Sequence, residues 1–175
     1  MQYTATYDSP LGPLTIASDG ENITGLWMDG QKYYAATLGE HTSGVPLPVF
    51  ERAAKWLDRY FRGKQPAMDL PLAPAGSTFR QSVWDFLREI PYGGVTTYGD
   101  LAARIAAGTG TMSAQAVGGA VGHNPISIMI PCHRVVGANG SLTGYAGGVD
   151  KKIRLLALEG ADTGAFFVPA RGTAL

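Results

Sequence analysis

The spacing of apolar residues changes along this chain, and that change limits its fold more than any other feature. From Tyr3 to Asp29, short apolar runs alternate with turn signals, which predicts three antiparallel strands. Helical spacing follows between Phe50 and Phe61, and Gly63 is a stop signal. A helix can cover one face of a sheet, so the first part is predicted to be a small antiparallel sheet with a helix.

A proline-rich segment, KQPAMDLPLAPAGS, follows this helix and is typical of a linker. We place a boundary near residue 75, which predicts an N-terminal domain over 1–75 and a C-terminal domain over 76–175.

The second part begins with helical patterns. Thr78 and Gln81 fit a capping box at the start of one helix. Thr97 with Asp100 fits the start of another, and Asp150 is the expected cap of a last helix that Gly160 ends. The segment SAQAVGGAVG follows the second helix closely, so the pair is interpreted as a helix-turn-helix.

Small side chains dominate the helix between Ser113 and Gly122, which includes Gly118 and Gly119. Each interior glycine costs about 1 kcal/mol relative to alanine. Two explanations remain open: tight packing on a neighbouring helix, or close approach to something else such as a groove of DNA. From the residues alone, packing is the favoured explanation.

The composition is that of an ordinary soluble protein. The chain has 175 residues, 45% hydrophobic residues and a formal net charge of zero. It shows no apolar stretch long enough for a bilayer and no signal-peptide pattern, so a cytoplasmic location and no membrane partner are expected. Zero net charge argues against a purely electrostatic, histone-like grip on nucleic acid.

Cys132 is the one cysteine of the chain, and it lies in the segment IPCHRVVG. One cysteine forms no internal disulfide and builds no Cys-based zinc site, so neither a metal nor a cofactor is predicted. A lone cysteine is most often an inert hydrophobe. Here Pro131 favours a strand end or turn, and the charges of His133 and Arg134 favour a thiolate. Because neighbouring side chains on an extended segment point apart, His133 is expected to reach the sulfur through a water.

Four segments carry a resemblance to a known family: FRQSVWDFLREIPYGGVTTYGDLA, NPISIMIPCHRVVG, GSLTGYAGG and LLALEG. Together they resemble the O6-alkylguanine-DNA alkyltransferases, also called methylated-DNA–protein-cysteine methyltransferases, from about Thr78 to Gly160. The resemblance implies an α+β fold with a ribonuclease-H-like N-terminal domain. It also implies that residues 76–175 form a mostly helical, winged-helix-like domain that binds DNA and carries the active-site cysteine.

The resemblance implies direct DNA repair by a suicide enzyme. An alkyl group passes once and irreversibly from O6-alkylguanine, with O4-alkylthymine as a further candidate, to Cys132 after base flipping. By the same resemblance His133 is the base, Glu159 orients His133, Asn124 holds the active-site turn, and Tyr98 donates a proton toward guanine N3.

The resemblance also implies two binding sets. The base is held by backbone groups of Val135 and Ala146, with Tyr145 and Gly147 beside them. A monomer of the protein is expected to bind double-stranded DNA that contains the lesion, through the minor groove of the DNA. The expected DNA-binding residues are Thr97, Ser113, Ala114, Gln115, Ala116, Gly118, Gly119 and Arg134.

Gln115 departs from the family pattern, which has arginine at this position to fill the gap left by the flipped base. Glutamine lacks the charge and the planar guanidinium. The missing arginine keeps one alternative open, a sensor that binds the lesion without repair. Two others do not depend on Gln115: a cysteine hydrolase using Cys132, His133 and Asn124, and a module with an inert thiol. Lys151, Lys152 and Arg154 are interpreted either as phosphate contacts or as a solvated helix face.

Overall fold

The structure, a computed structural model, describes residues 1–142 and 144–170. The chain divides into two compact units. The first unit contains Met1–Ala75 and Pro125–Met129, and the second contains Gly76–Asn124 and the described residues from Ile130 onward. Residues 125–129 thus belong to the first unit, although the boundary predicted near residue 75 assigned them to the C-terminal domain. The end of the predicted C-terminal domain, residues 171–175, lies outside the described residues.

A four-stranded sheet forms the centre of the first unit, in the order β3-β2-β1-β4. The three antiparallel neighbours predicted from the sequence are confirmed. A short fourth strand was missed, and it pairs in parallel with the first, Gln2 opposite His41. The strands are β1 (Gln2–Ser9), β2 (Gly12–Ser18), β3 (Ile23–Met28) and β4 (His41–Ser43).

The predicted helix of the first unit is confirmed as α1 (Pro48–Phe61). A proline in its first turn suits a position whose backbone N–H has no helical partner. Gly63 ends the helix in a left-handed conformation, φ 74°, and its N–H donates to the Tyr60 carbonyl oxygen over 2.9 Å. One face is buried: Val49, Phe50, Ala53, Trp56, Leu57 and Tyr60.

Residues 125–129 join the first unit through backbone hydrogen bonds to β3. Leu26 N–H donates to the Pro125 oxygen over 2.8 Å, and Ser127 N–H donates to the Leu26 oxygen over 2.9 Å. Ile128 then sits at φ 70° in a three-residue turn closed by Met129 N–H on the Ser127 oxygen. A β-branched residue there is strained by about 1–3 kcal/mol. The burial of Ile128 offsets that strain.

Four helices form the framework of the second unit: α2 (Thr78–Arg88), α3 (Tyr98–Thr109), α4 (Ala114–Gly122) and α5 (Val149–Leu158). The predicted helix-turn-helix corresponds to α3 and α4, which pack on each other. Helix α2 packs on α4 as well, and Trp84 Nε1–H donates to the Ala120 oxygen over 2.9 Å.

The predicted caps are partly corrected. Ser77, not Thr78, caps α2, because its Oγ accepts from Arg80 N–H over 3.3 Å and Thr78 is already helical. The Thr97 cap is confirmed by its 3.0 Å bond from Asp100 N–H. Asp150 does not cap α5, since Gly148 holds the cap position. The Asp150 carboxylate lies in the first turn, where its negative charge interacts favourably with the positive end of the helix dipole.

No helix in residues 1–142 and 144–170 is both long and apolar enough to cross a lipid bilayer.

Candidate active site

Two tight turns place the Cys132 thiol. Cys132 N–H donates to the Ile130 oxygen over 2.8 Å, so Pro131 lies at the centre of a three-residue turn with φ −82° and ψ 64°. A single 3₁₀ turn over Cys132–Arg134 follows at once. The expectation of a strand end or turn at the cysteine is confirmed, and the side chain is only 4% exposed.

Asn124 holds this turn and the sulfur together. Its Nδ2 donates to the Ile130 oxygen over 2.8 Å and to Cys132 Sγ over 3.2 Å. Burial raises the pKa of the Cys132 thiol, while the Asn124 hydrogen bond and the charge of Lys152 pull that pKa down. The resting sulfur is therefore a thiol whose ionised form already has a donor and a cation facing it.

His133 pairs with Glu159 in the interior. His133 Nε2 and Glu159 Oε1 lie 2.7 Å apart, and both side chains are fully buried. Burial lowers the pKa of His133 more than Glu159 raises it, so the imidazole is neutral at pH 7. A carboxylate only accepts hydrogen bonds, which assigns the ring hydrogen to Nε2 and leaves the lone pair on Nδ1.

Arg134 also binds the Glu159 carboxylate. Its Nε donates to Glu159 Oε2 over 2.8 Å and its Nη2 donates to Oε1 over 3.0 Å. Its Nη1 donates to the Ile90 oxygen over 2.6 Å, and Gly93 N–H donates to Glu159 Oε2 over 3.3 Å. The Arg134 side chain is 11% exposed, and these contacts are internal. Its predicted contact with DNA finds no support in this geometry.

Tyr98 reaches the site because a short parallel pairing joins it to the cysteine segment. Thr96 lies opposite Val135 and Thr97 opposite Val136, and Tyr98 begins α3 directly afterwards. Burial, together with the nearby Cys132, raises the pKa of Tyr98 well above its usual value. The phenol thus stays protonated and can only give its proton to a strong acceptor.

The glycine-rich loop approaches the Tyr98 hydroxyl. A Cβ added to Gly144, at φ 72°, would stand 2.9 Å from that oxygen. Tyr145 is buried, and Gly148 N–H closes a turn on its carbonyl oxygen over 3.0 Å. Ala146, at the tip of that turn with Gly147, is half-buried.

Lys152 is the site residue that the sequence interpretation missed. It is fully buried, which corrects its interpretation either as a phosphate contact or as part of a solvated helix face. Its Nζ donates to the Val135 oxygen and lies 6.0 Å from the ring centroids of both Tyr98 and Tyr145. Burial lowers its pKa to about 8, against the opposing pull of Cys132.

The small-residue helix α4 presents a bare surface. Ser113 caps it by accepting from Ala116 N–H over 3.0 Å. Among the described residues, a Cβ added to Gly119 would meet no atom within 4 Å outside its own stretch of helix, and one at Gly118 would make an ordinary contact with the Tyr98 ring at 3.8 Å. Packing within the protein therefore does not require these glycines. The exposed members of the predicted DNA-binding set on and beside α4 are Ser113, Ala114, Gln115, Ala116 and Gly119.

Comparison with known proteins gives the same result for both halves of the chain. Residues 2–74 match the family model described as 6-O-methylguanine DNA methyltransferase, ribonuclease-like domain. Residues 78–161 match the model described as the DNA binding domain of the same methyltransferase.

Individual relatives are similar to this chain along most of their length. A methylated-DNA–protein-cysteine methyltransferase of Haemophilus influenzae is 46% identical over 158 residues, which cover 90% of this chain and 86% of that protein. One from Methanosarcina acetivorans is 43% identical, covering 91% and 99%. The crystal structure of Mycobacterium tuberculosis OGT in complex with DNA is 41% identical, with a TM-score of 0.81 and 96% of each chain covered.

Proposed function

This chain belongs to the 6-O-methylguanine DNA methyltransferase family, and from that membership we propose that it repairs DNA directly by moving an alkyl group from O6 of guanine to Cys132. It is a methylated-DNA–protein-cysteine S-methyltransferase, and DNA is its partner. The observation that carries the function is one buried arrangement: the thiol bonded to Asn124 beside an imidazole held by Glu159.

The proposed reaction is a displacement at the alkyl carbon. His133 Nδ1 takes the thiol proton through a water, and Lys152 with Asn124 stabilises the thiolate as it forms. The sulfur then attacks the carbon, a carbon–sulfur bond forms, and the bond from carbon to O6 breaks. The electron pair of that bond passes into the guanine ring, and the Tyr98 proton moves toward N3 to neutralise it.

The proposed pocket for the flipped guanine is lined by residues next to Cys132 and by the glycine-rich loop. The carbonyl oxygens of Val135 and Cys132 accept from the guanine amino group, and Tyr145, Ala146 and Gly147 form the wall nearest O6. The Val135 oxygen already accepts from Lys152, and a carbonyl oxygen has a second lone pair for the base.

Helix α4 is the proposed DNA-binding element, placed in the minor groove of double-stranded DNA. Its exposed small residues, with Gly119 open to solvent, let a helix backbone come close to a narrow groove. Thr97 lies at the start of α3, which packs on this helix. The active form is proposed to be a cytoplasmic monomer that flips the damaged base out of the stack and needs neither metal nor cofactor.

Gln115 limits base extrusion in this proposal, because it stands exposed near the start of α4 without a cationic group. Replacing Gln115 with arginine should speed repair in duplex DNA by several-fold to about tenfold, by adding a charge-assisted contact in the gap of the flipped base. In single-stranded DNA, where no base pair opens, the rates of the two proteins should match. An unchanged or slower duplex rate contradicts this role for Gln115.

The test of the function is the yield of the reaction with a duplex that carries O6-methylguanine in excess. A thioether is not hydrolysed, and no second nucleophile is assigned to regenerate the thiol. Demethylation should therefore stop at one lesion per protein molecule. Continued turnover would indicate a hydrolase, and lesion-specific binding without any demethylation would indicate a sensor.

A further inference from the structure

Three cations occupy one exposed face of α1 in the first unit. Arg52, Lys55 and Arg59 follow helical spacing, and all three side chains are exposed. They line a cavity of about 200 Å³ together with Trp56, Pro66, Ala67 and Asp69. We call this surface the α1 basic face.

The α1 basic face is a fixed site, because its floor is tied to the segment that follows the helix. Arg52 Nη2 donates to the Asp69 carbonyl oxygen over 2.6 Å, and Trp56 Nε1–H donates to the Ala67 oxygen over 3.1 Å. The indole is buried, so the cavity presents charged rims over an aromatic and backbone floor.

The three cations of this face form no ion pair with the residues that the structure describes. Among residues 1–142 and 144–170, no carboxylate oxygen lies within the 4.0 Å of an ion pair to any of the three cations. The nearby Asp58 instead accepts from the Tyr7 hydroxyl over 2.8 Å, and of the described residues that line the cavity only Asp69 is acidic. Three like charges held around one concavity favour an anionic ligand with several charges.

We propose that the α1 basic face binds the phosphate backbone of duplex DNA, as a second contact in addition to α4. The proposal rests on the proposed function only in taking DNA as the partner. Arg52 to Arg59 spans about 10 Å of helix, and the same length of duplex carries about six phosphates. Phosphate contacts add affinity and positioning without reading sequence. The ribonuclease-like domain thereby gains a role in holding the substrate.

The test compares two variants that lose the same charge. One replaces Arg52, Lys55 and Arg59 with glutamine; the control replaces Lys32, Arg62 and Lys64, which are exposed cations of the same unit that do not line the cavity. Binding to an undamaged duplex of about 30 base pairs is followed by fluorescence anisotropy between 50 and 200 mM salt.

Each phosphate contact contributes about 0.9 to the slope of affinity against salt. If all three cations contact phosphates, raising the salt from 50 to 200 mM should weaken DNA binding by the unmodified protein by a factor about 40 times larger than the factor for the R52Q/K55Q/R59Q variant. The control variant should retain the steep dependence. The proposal is overturned if all three proteins show the same slope of affinity against salt, or if both variants lose the same amount of slope.

Undamaged DNA keeps this test separate from the chemistry of Cys132. At saturating DNA the control variant K32Q/R62Q/K64Q should transfer methyl groups at the unmodified rate. A protein that transfers none, yet shows the expected difference in slopes, would contradict the proposed function and leave the α1 basic face supported.

Discussion

Replacing Glu159 with glutamine should slow methyl transfer by about 10²- to 10⁴-fold and lower the free energy of unfolding by about 3–5 kcal/mol. The first effect follows because the amide no longer fixes the His133 tautomer or stabilises the imidazolium. The second follows because the Arg134 guanidinium, 11% exposed, loses its buried counter-charge and one of its two acceptor oxygens, which becomes an NH2 donor that faces it. Single-turnover kinetics and urea denaturation measure the two effects.

Glu89 provides the matched control for this variant. It forms an ion pair with Arg104 in the same unit, but the two side chains are 57% and 48% exposed. An exposed pair of this kind contributes about 1 kcal/mol or less. Glu89→Gln should therefore change stability little and the transfer rate not at all. If Glu159→Gln behaves like Glu89→Gln in both measurements, the buried network does not do what its geometry indicates.

Replacing Lys152 with methionine should move stability and activity in opposite directions. Burial lowers the pKa of Lys152 from 10.5 to about 8, so keeping it charged at pH 7 costs the folded state about 3 kcal/mol. Methionine removes that cost but also the bond to Val135, for a net gain of about 2 kcal/mol. Transfer should slow about tenfold or more, because the Cys132 thiolate loses its buried cation.

The stability gain of Lys152→Met should depend on pH with a definite sign. Below pH 8 the lysine is protonated in both folded and unfolded states, and the full cost is present. Between pH 8 and 10.5 the unfolded chain binds the extra proton, so the unmodified protein gains stability relative to the variant as pH rises. The difference measured by urea denaturation should accordingly shrink across that window.

Lys151→Met is the control for Lys152→Met. It removes the same charge from the neighbouring position, where the lysine is only half-buried. This variant should show neither the gain in stability nor the loss of rate. A Lys152→Met protein that is less stable at pH 7 and fully active would contradict the role assigned to Lys152.

Local signals in the sequence were sufficient for most of the elements. Alternation and turns predicted β1 to β3, apolar spacing predicted α1, and a hydroxyl with an acid three residues later predicted the start of α3. At α2 the neighbouring Ser77 and Thr78 are both good caps, so the residue types alone do not distinguish them; the structure has the serine as the cap. Pairing of residues 125–129 with β3 joins segments about a hundred residues apart, which no local pattern encodes.

Fewer of the active-site residues could be predicted from the sequence by local patterns alone. The lone thiol with its cationic neighbours indicated reactivity, but the roles of Glu159, Asn124 and Tyr98 came from resemblance to a family. Lys152 left a signal that was overlooked: it stands at helical spacing with Leu155, Leu156 and Glu159, all of them buried. Lysine is almost never fully buried, and neither interpretation of Lys152, as a phosphate contact or as part of a solvated face, placed it in the interior.

The most direct measurement of the central claim is the intact mass of the protein after reaction with excess O6-methylguanine duplex, followed by peptide mapping. The account predicts a gain of one methyl group on Cys132, restoration of guanine in the DNA, and no gain in the Cys132→Ser protein. A protein whose mass is unchanged while guanine is restored, or whose methyl group maps to another residue, would contradict transfer to this thiol.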